Sequence, residues 1–244
     1  STIKRPMILF IKHISIEGPE TLGEFFGRRG YEIKVIELDA GEPLVGHWDN
    51  IEAVISLGGP MNVYEEDKYP FLREETRFIQ HVVSRDIPFI GICLGSQLLA
   101  KACDAKVGKS PQKEIGFSKI QLTRQGKQDP LFKGLDEEIN IFQWHEDMFA
   151  VPPGAKLLAI SKECPHQAFR VGSCAYGLQF HVEITDKSIQ TWSDAYFKKD
   201  DIVSIEKTQE MLRDYQNKKR YFNNLSERIY TNFLGIMKEC RGRP

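Results

Sequence analysis

Pro88-Phe89-Ile90-Gly91-Ile92-Cys93-Leu94-Gly95-Ser96-Gln97-Leu98-Leu99-Ala100-Lys101 runs from an apolar stretch, through Gly-x-Cys-x-Gly, into a helix-favouring segment. That is the strand, tight turn and helix order of a nucleophile elbow, with sulfur where a serine oxygen usually stands. Gly91 and Gly95 permit the sharp turn. A thiol at such a turn stands at the mouth of a helix, where free backbone N–H groups and the positive end of the helix dipole favour thiolate over thiol. Cys93 is therefore the candidate nucleophile.

Upstream of the elbow, Met7–Ile11, Glu32–Ile36 and Ala53–Leu57 are further short apolar or alternating runs, separated by helical stretches around Thr21–Arg29 and Phe71–Ser84. This alternation predicts βαβ units and a mainly parallel sheet in an α/β fold. Functional residues of such sheets gather beyond the carboxyl ends of the strands, so Gly58-Gly59-Pro60 and Cys93, each directly after a predicted strand, are expected to be neighbours. Downstream, Phe117–Thr123, Ile139–Phe142, Leu157–Ile160, Ala168–Val171 and Ala175–Phe180 read as short strands of an antiparallel portion. After Thr185 the chain becomes helical, with apolar positions at three- and four-residue intervals over Lys187–Phe197 and most of Ile202–Lys238. The expected organisation is one main domain over residues 1–185 and a helical C-terminal extension over 186–244 packed on it, with a dimer interface as the other use of the tail.

With 244 residues, 41% of them hydrophobic, the chain can bury a full core. Its 33 Lys and Arg balance 34 Asp and Glu, which gives no electrostatic reason to expect nucleic acid or an anionic membrane as partner. A small polar substrate fits better. No apolar run approaches the roughly twenty residues of a membrane span, and no signal-like segment opens the sequence, so a cytoplasmic protein is expected. The five cysteines (Cys93, Cys103, Cys164, Cys174 and Cys240) show no repeating C-x-x-C spacing, which speaks against a disulfide framework and a structural zinc site. Packing or incidental exposure explains all of them except Cys93.

A nucleophile needs a base, and the base needs a partner that holds its tautomer. Gln179-Phe180-His181-Val182-Glu183 supplies both: on a strand, side chains two apart leave from one face, so Glu183 can brace the His181 ring. An acyl transfer also needs donors aimed at the oxygen that becomes negative. The N–H of Leu94 would supply one and that of Gly59 the other, since glycine lets its backbone approach a ligand closely and Pro60 stiffens the turn.

Together these residues resemble a class I, triad-type glutamine amidotransferase, most similar to stand-alone relatives of the glutaminase domain of GMP synthetase. The matching segments are Ser56-Leu57-Gly58-Gly59-Pro60, Gly91 to Gln97, Glu114-Ile115-Gly116, Gln143-Trp144-His145 and Gly177 to Glu183, over roughly Met7 to Thr185. The resemblance implies a flavodoxin-like α/β/α fold, hydrolysis of the glutamine side-chain amide through a γ-glutamyl thioester on Cys93, and release of ammonia. It also implies that Gln97 helps hold the substrate's amino-acid end and that Gly59 lies in the oxyanion hole, with Gly58 and Pro60 beside the substrate. Two positions depart from the family's pattern: Val182 stands where Pro is usual, and His145-Glu146-Asp147 where His-Gly-Asp is usual.

His145 has two readings, a substrate-pocket or partner-surface residue and a packed corner. His13, His47, His81 and His166 lack metal-ligand spacing and are assigned to surface or core, so no metal is expected. Gly108-Lys109-Ser110 mimics the end of a phosphate-binding loop, but the first glycine of that motif would fall at Cys103. No Ser-Gly-Gly-x-Asp-Ser loop is present either, so neither ATP nor another cofactor is expected. Three readings of function follow: a glutaminase, a peptidase or hydrolase acting on a γ-glutamyl compound, and a regulatory subunit whose triad waits for a synthetase-type partner that receives ammonia.

Overall fold

The computed structural model describes residues 4–44 and 50–241; His47 lies outside them. In chain order the elements are β1 (Met7–Lys12), α1 (Glu20–Arg28), β2 (Glu32–Glu37), β3 (Ile51–Ser56), α2 (Phe71–Ser84), β4 (Phe89–Ile92), α3 (Leu94–Ala102), β5 (Val107–Leu122), α4 (Arg124–Gln128), β6 (Glu138–Phe149), β7 (Lys156–Ile160), β8 (Ala168–Val171), β9 (Ala175–Leu178), α5 (Asp186–Tyr196) and α6 (Ile202–Arg241). The nine strands form one sheet in the order β2-β1-β3-β4-β9-β8-β7-β5-β6. From β2 to β9 neighbours run parallel; from β9 to β6 they run antiparallel. The parallel half has the flavodoxin-like order, with the antiparallel strands inserted before its fifth member.

β1 is buried along nearly its whole length because both faces are covered. Ile8 and Phe10 enter one apolar cluster with α1, α5 and α6, while Leu9 and Ile11 enter another with α2 and α3, which makes three layers. β2, at the sheet edge, alternates instead. The long α6 lies along the first cluster, burying Met211, Tyr215, Phe222, Ile229, Tyr230, Phe233 and Met237.

Two strands are longer than the sequence suggests. β5 begins ten residues before Phe117, at Val107, because Val107–Lys109 also pair with β6; Ser110 and Pro111 lie in the register shift before pairing resumes at Glu114. Gly108-Lys109-Ser110 therefore lies on a strand and not in a loop between a strand and a helix. β6 continues past Phe142 to Phe149, which puts Trp144, His145 and Asp147 on a regular strand. β9 stops at Leu178, short of the expected Phe180.

Candidate active site

Cys93 follows β4 directly and caps α3 with φ 52° and ψ −108°, a strained conformation for a residue with a side chain. The flanking glycines make this possible by what they lack. A β-carbon on Gly91 would meet the Gly95 carbonyl oxygen at 2.3 Å, and one on Gly95 would meet the Ser56 carbonyl oxygen at 2.1 Å. The turn is thus packed into the sheet top, and Cys93 remains 7% exposed at the wall of a cavity of about 240 Å³. The thiol lies 3.5 Å from the Trp144 carbonyl, to which it can donate, and 3.6 Å from Gln179 Nε2.

His181 lines the same cavity as Cys93. Its Nδ1 lies 3.0 and 3.2 Å from the two carboxylate oxygens of Glu183. The pair does not sit on a strand, contrary to the sequence expectation. Beyond the end of β9 the chain bends, and only an isolated bridge between His181 and Phe142 continues the pairing. The bend is held from outside: Tyr230 and Ser226 of α6 donate to the Val182 carbonyl at 2.9 and 2.7 Å, and Thr21 donates to the Glu183 carbonyl. Trp192 of α5 packs edge-on against the imidazole at 4.9 Å. Burial disfavours the His181 cation, but the Glu183 charge, together with the Glu183 hydrogen bond and the neighbouring Cys93, outweighs this and leaves its pKa well above 6.5.

Gly58 and Gly59 follow β3, beside the elbow as expected, and a β-carbon on Gly59 would meet Leu94 Cδ2 at 3.0 Å. Among the described residues, neither the Gly59 nor the Leu94 N–H donates a hydrogen bond within the protein. Behind them lies a network the sequence did not reveal. His13 Nε2 meets Glu75 Oε1 at 2.5 Å, His13 Nδ1 faces the Gly58 carbonyl at 3.3 Å, and Ser56 Oγ donates to Glu75 Oε2 at 2.5 Å.

Gln97 and Pro60 line the cavity. Gln97 Nε2 donates to Gln179 Oε1 at 3.1 Å and to the Asp147 carbonyl at 3.4 Å. Asp147 also lines it, is 4% exposed, and has both carboxylate oxygens buried without a hydrogen-bond partner. Tyr64 is close enough to feel this carboxylate without being in hydrogen-bonding geometry: burial first and then the Asp147 charge raise the Tyr64 pKa. His145 borders the cavity too, but its ring is engaged: Nε2 lies 2.8 Å from Glu114 Oε1 and Nδ1 2.9 Å from the Asp147 carbonyl.

Cys164 joins Glu114 and His145 in a buried group whose potential ligand atoms lie within 4.8 Å of one another. Gln167 donates to the Glu114 oxygen that faces His145, so the pair is closed by hydrogen bonds. Burial pushes the thiols of Cys103 and Cys164 up to about 11 and that of Cys174 to about 12, as expected of packing cysteines.

The remaining wall was missed by sequence reasoning. Trp192, Tyr196 and Phe197, from α5 and its end, line the cavity together with Glu17 from the loop after β1. Phe197 stacks on Trp144 at 4.9 Å.

The chain belongs to the class-I glutamine amidotransferase family, whose model matches residues 20–193. It is 33% identical over 227 residues to the glutamine amidotransferase-like protein YfeJ of Salmonella typhimurium, covering 92% of this chain and 90% of that one. It is also 33% identical over 162 residues to the glutamine-hydrolysing GMP synthase of Thermosipho africanus; that match covers 66% of this chain but only 29% of the synthase. A glutamine amidotransferase crystal structure from Thermotoga maritima superposes with a TM-score of 0.85 at 29% identity, covering 97% of this chain and all of that one. The chain is thus an enzyme of glutamine amidotransferase type, and its family supports hydrolysis of the glutamine side-chain amide. No helix among the described residues is long and apolar enough to cross a membrane.

Proposed function

We propose that the protein hydrolyses the glutamine side-chain amide through a γ-glutamyl thioester on Cys93. The sulfur attacks the δ-carbonyl carbon, forming the S–C bond while the carbonyl electrons move to oxygen. The free N–H groups of Gly59 and Leu94 receive that oxyanion; such a donor is commonly worth roughly a hundred- to a thousandfold in rate. His181 passes its proton to the amide nitrogen, the C–N bond breaks and ammonia leaves. His181 then takes a proton from water, which attacks the thioester and frees glutamate and the thiol. Glu183 orients the ring and stabilises its cation.

The observation that carries this reading is that Cys93 and His181, 88 residues apart in the chain, line one cavity, with the Glu183 carboxylate against Nδ1 of the imidazole. The cavity's volume, about 240 Å³, falls below the roughly 300–1,000 Å³ of sites for drug-sized ligands, which supports an amino-acid-sized substrate. Gln97 stands at the substrate's amino-acid end, where the unpaired Asp147 carboxylate is placed to hold the α-ammonium. A buried carboxylate without a partner is costly, and a cationic ligand relieves that cost. His145 fixes the backbone of Asp147 rather than touching substrate. Its resemblance to part of GMP synthase suggests that the ammonia is passed to a synthetase-type partner.

The test is to incubate the protein with glutamine and, separately, with a glutamine-mimicking electrophile. Ammonia release and a single label on Cys93, found by mass spectrometry, are expected, and both should vanish in Cys93→Ala. Near-normal turnover by that variant would remove the thioester mechanism.

A further inference from the structure

The mechanism above leaves unexplained a carboxylate beside the imidazole. Glu17 is 5% exposed and lines the same cavity as Cys93 and His181. Its Oε2 accepts the Tyr196 hydroxyl at 2.5 Å. Trp144 packs edge-on against the Tyr196 ring at 5.9 Å and stacks on Phe197 at 4.9 Å, so the tyrosine is fixed by aromatic neighbours. A β-carbon built on Gly58 would lie 2.5 Å from Glu17 Oε1 and 3.2 Å from His181 Cε1. The absent side chain of Gly58 is therefore the gap across which the carboxylate and the imidazole face each other. Among the described residues no N–H or O–H group donates to Oε1. Burial, and after it the Glu183 charge, leave the Glu17 pKa raised above the usual carboxylate value, although the His181 charge and the Tyr196 hydroxyl favour its charged form.

If Glu17 served only to tie α5 to the loop after β1, its contact with Tyr196 would suffice, and neither its second oxygen nor its place on the cavity wall would be needed. The direction of the reaction gives that oxygen a use. The oxyanion points to Gly59 and Leu94, and the amino-acid end of the substrate to Gln97. The departing nitrogen takes its proton from His181, so it must leave on the side of the imidazole where Glu17 stands.

We infer that Glu17, set by Tyr196, selects the leaving group: its Oε1 accepts an N–H of the departing amine and repels any leaving group that carries its own carboxylate. This rests on the Cys93 thioester reading and narrows it to one substrate class, glutamine and neutral γ-glutamyl amides, against γ-glutamyl amino acids. In the selected step the C–N bond breaks, its electron pair stays on nitrogen, and the proton comes from His181; Glu17 gains and loses no proton. Like charges brought together in a shielded site cost several kcal/mol, enough for a discrimination of tenfold or more.

The experiment compares kcat/KM for L-glutamine, γ-glutamylglycinamide and γ-glutamylglycine in the wild type, E17Q and Y196F. The two glycine compounds differ only in the terminal charge, so their ratio within one preparation is insensitive to the fraction of folded protein. The wild type is expected to favour the glycinamide by roughly tenfold or more, and E17Q to bring the ratio to within about threefold of unity. Y196F, which keeps the charge but frees the carboxylate to turn, should fall between, and it carries the test if E17Q does not fold. A wild-type ratio near unity, or a ratio unchanged in the variants while glutamine is still turned over, overturns the assignment of Glu17 alone. Failure of the wild type to hydrolyse any of the three overturns the thioester reading and this inference with it.

Discussion

His181–Glu183 and His13–Glu75 are the same two side-chain types, each pair almost completely shielded from solvent, yet they are wired in opposite ways. In the first pair the carboxylate holds Nδ1, and the other edge of the ring turns to Cys93 and the cavity. In the second, the carboxylate holds Nε2, the Gly58 carbonyl faces Nδ1, and Ser56 occupies the remaining carboxylate oxygen. Both ring nitrogens of His13 face acceptor oxygens, an arrangement that favours the cation and leaves the ring no free edge. The pair His145–Glu114 repeats that closed pattern. Closure, and not residue type or burial, separates a framework pair from one that can move a proton.

The largest effect that follows is on His181. His181→Gln should lower kcat by roughly a hundred- to ten-thousandfold and, because it too breaks a buried pair, should also cost on the order of 3–5 kcal/mol of stability. Glu183→Gln should keep the fold and lose less than Cys93→Ala, because an amide can still orient the ring. His13→Gln should cost a similar amount of stability, about 3–5 kcal/mol, since it breaks a buried pair by removing one partner, but turnover of the protein that remains folded should stay within about tenfold. Steady-state ammonia release alongside denaturant unfolding separates the two. If the folded His13→Gln protein lost activity as severely as His181→Gln, the distinction between closed and open pairs would collapse.

Titration sharpens the same contrast. Burial works against both cations, but the charge of each glutamate partner and the other contacts of the ring together outweigh it, so the pKa of His13 and that of His181 are raised above 6.5 in the folded protein. A group with a raised folded pKa contributes stability that is complete below its unfolded value and is lost as pH rises through its folded value. The urea midpoint should therefore fall as pH increases above about 6.5. In His13→Gln the slope should be shallower. An equal slope in both proteins would mean that His13 is not held as a cation.

The two pairs also differ in how visible they are in sequence. His181 and Glu183 are adjacent in pattern, and Cys93 announces itself through glycines that must be where they are for a turn to pack. Strands β1, β3 and β4 and helix α2 are legible for a similar local reason, since each is a self-contained apolar run or stripe. The network behind the oxyanion turn joins residues 62 positions apart. One signal for it was available: Glu75 falls in register with the buried Leu72, Ile79 and Val82 of α2, and an acid on an apolar stripe demands a partner. Glu17 carried no such mark, because nothing local distinguishes one loop acid from another. The aromatic wall from α5 was read only as amphipathic helix, and the first half of β5 was hidden by Gly108, Ser110 and Pro111, whose strand conformation depends on β6.

The smallest expected effect concerns the clamp that shapes the open pair from behind. Tyr230 and Ser226 both donate to the Val182 carbonyl, between His181 and Glu183, and Tyr230 also meets Thr21 at 2.8 Å. Tyr230→Phe leaves Ser226 in place, so the carbonyl keeps a donor; the loss should be about 1 kcal/mol of stability with kcat/KM within about twofold. Removing Ser226 as well strands a buried carbonyl, which costs roughly 1–3 kcal/mol and frees the backbone that sets the His181–Glu183 geometry. The double variant should therefore lose more activity than the single losses multiply to, because the two donors back each other up at one acceptor. Strict additivity in both stability and turnover would mean that α6 covers the bend without controlling it.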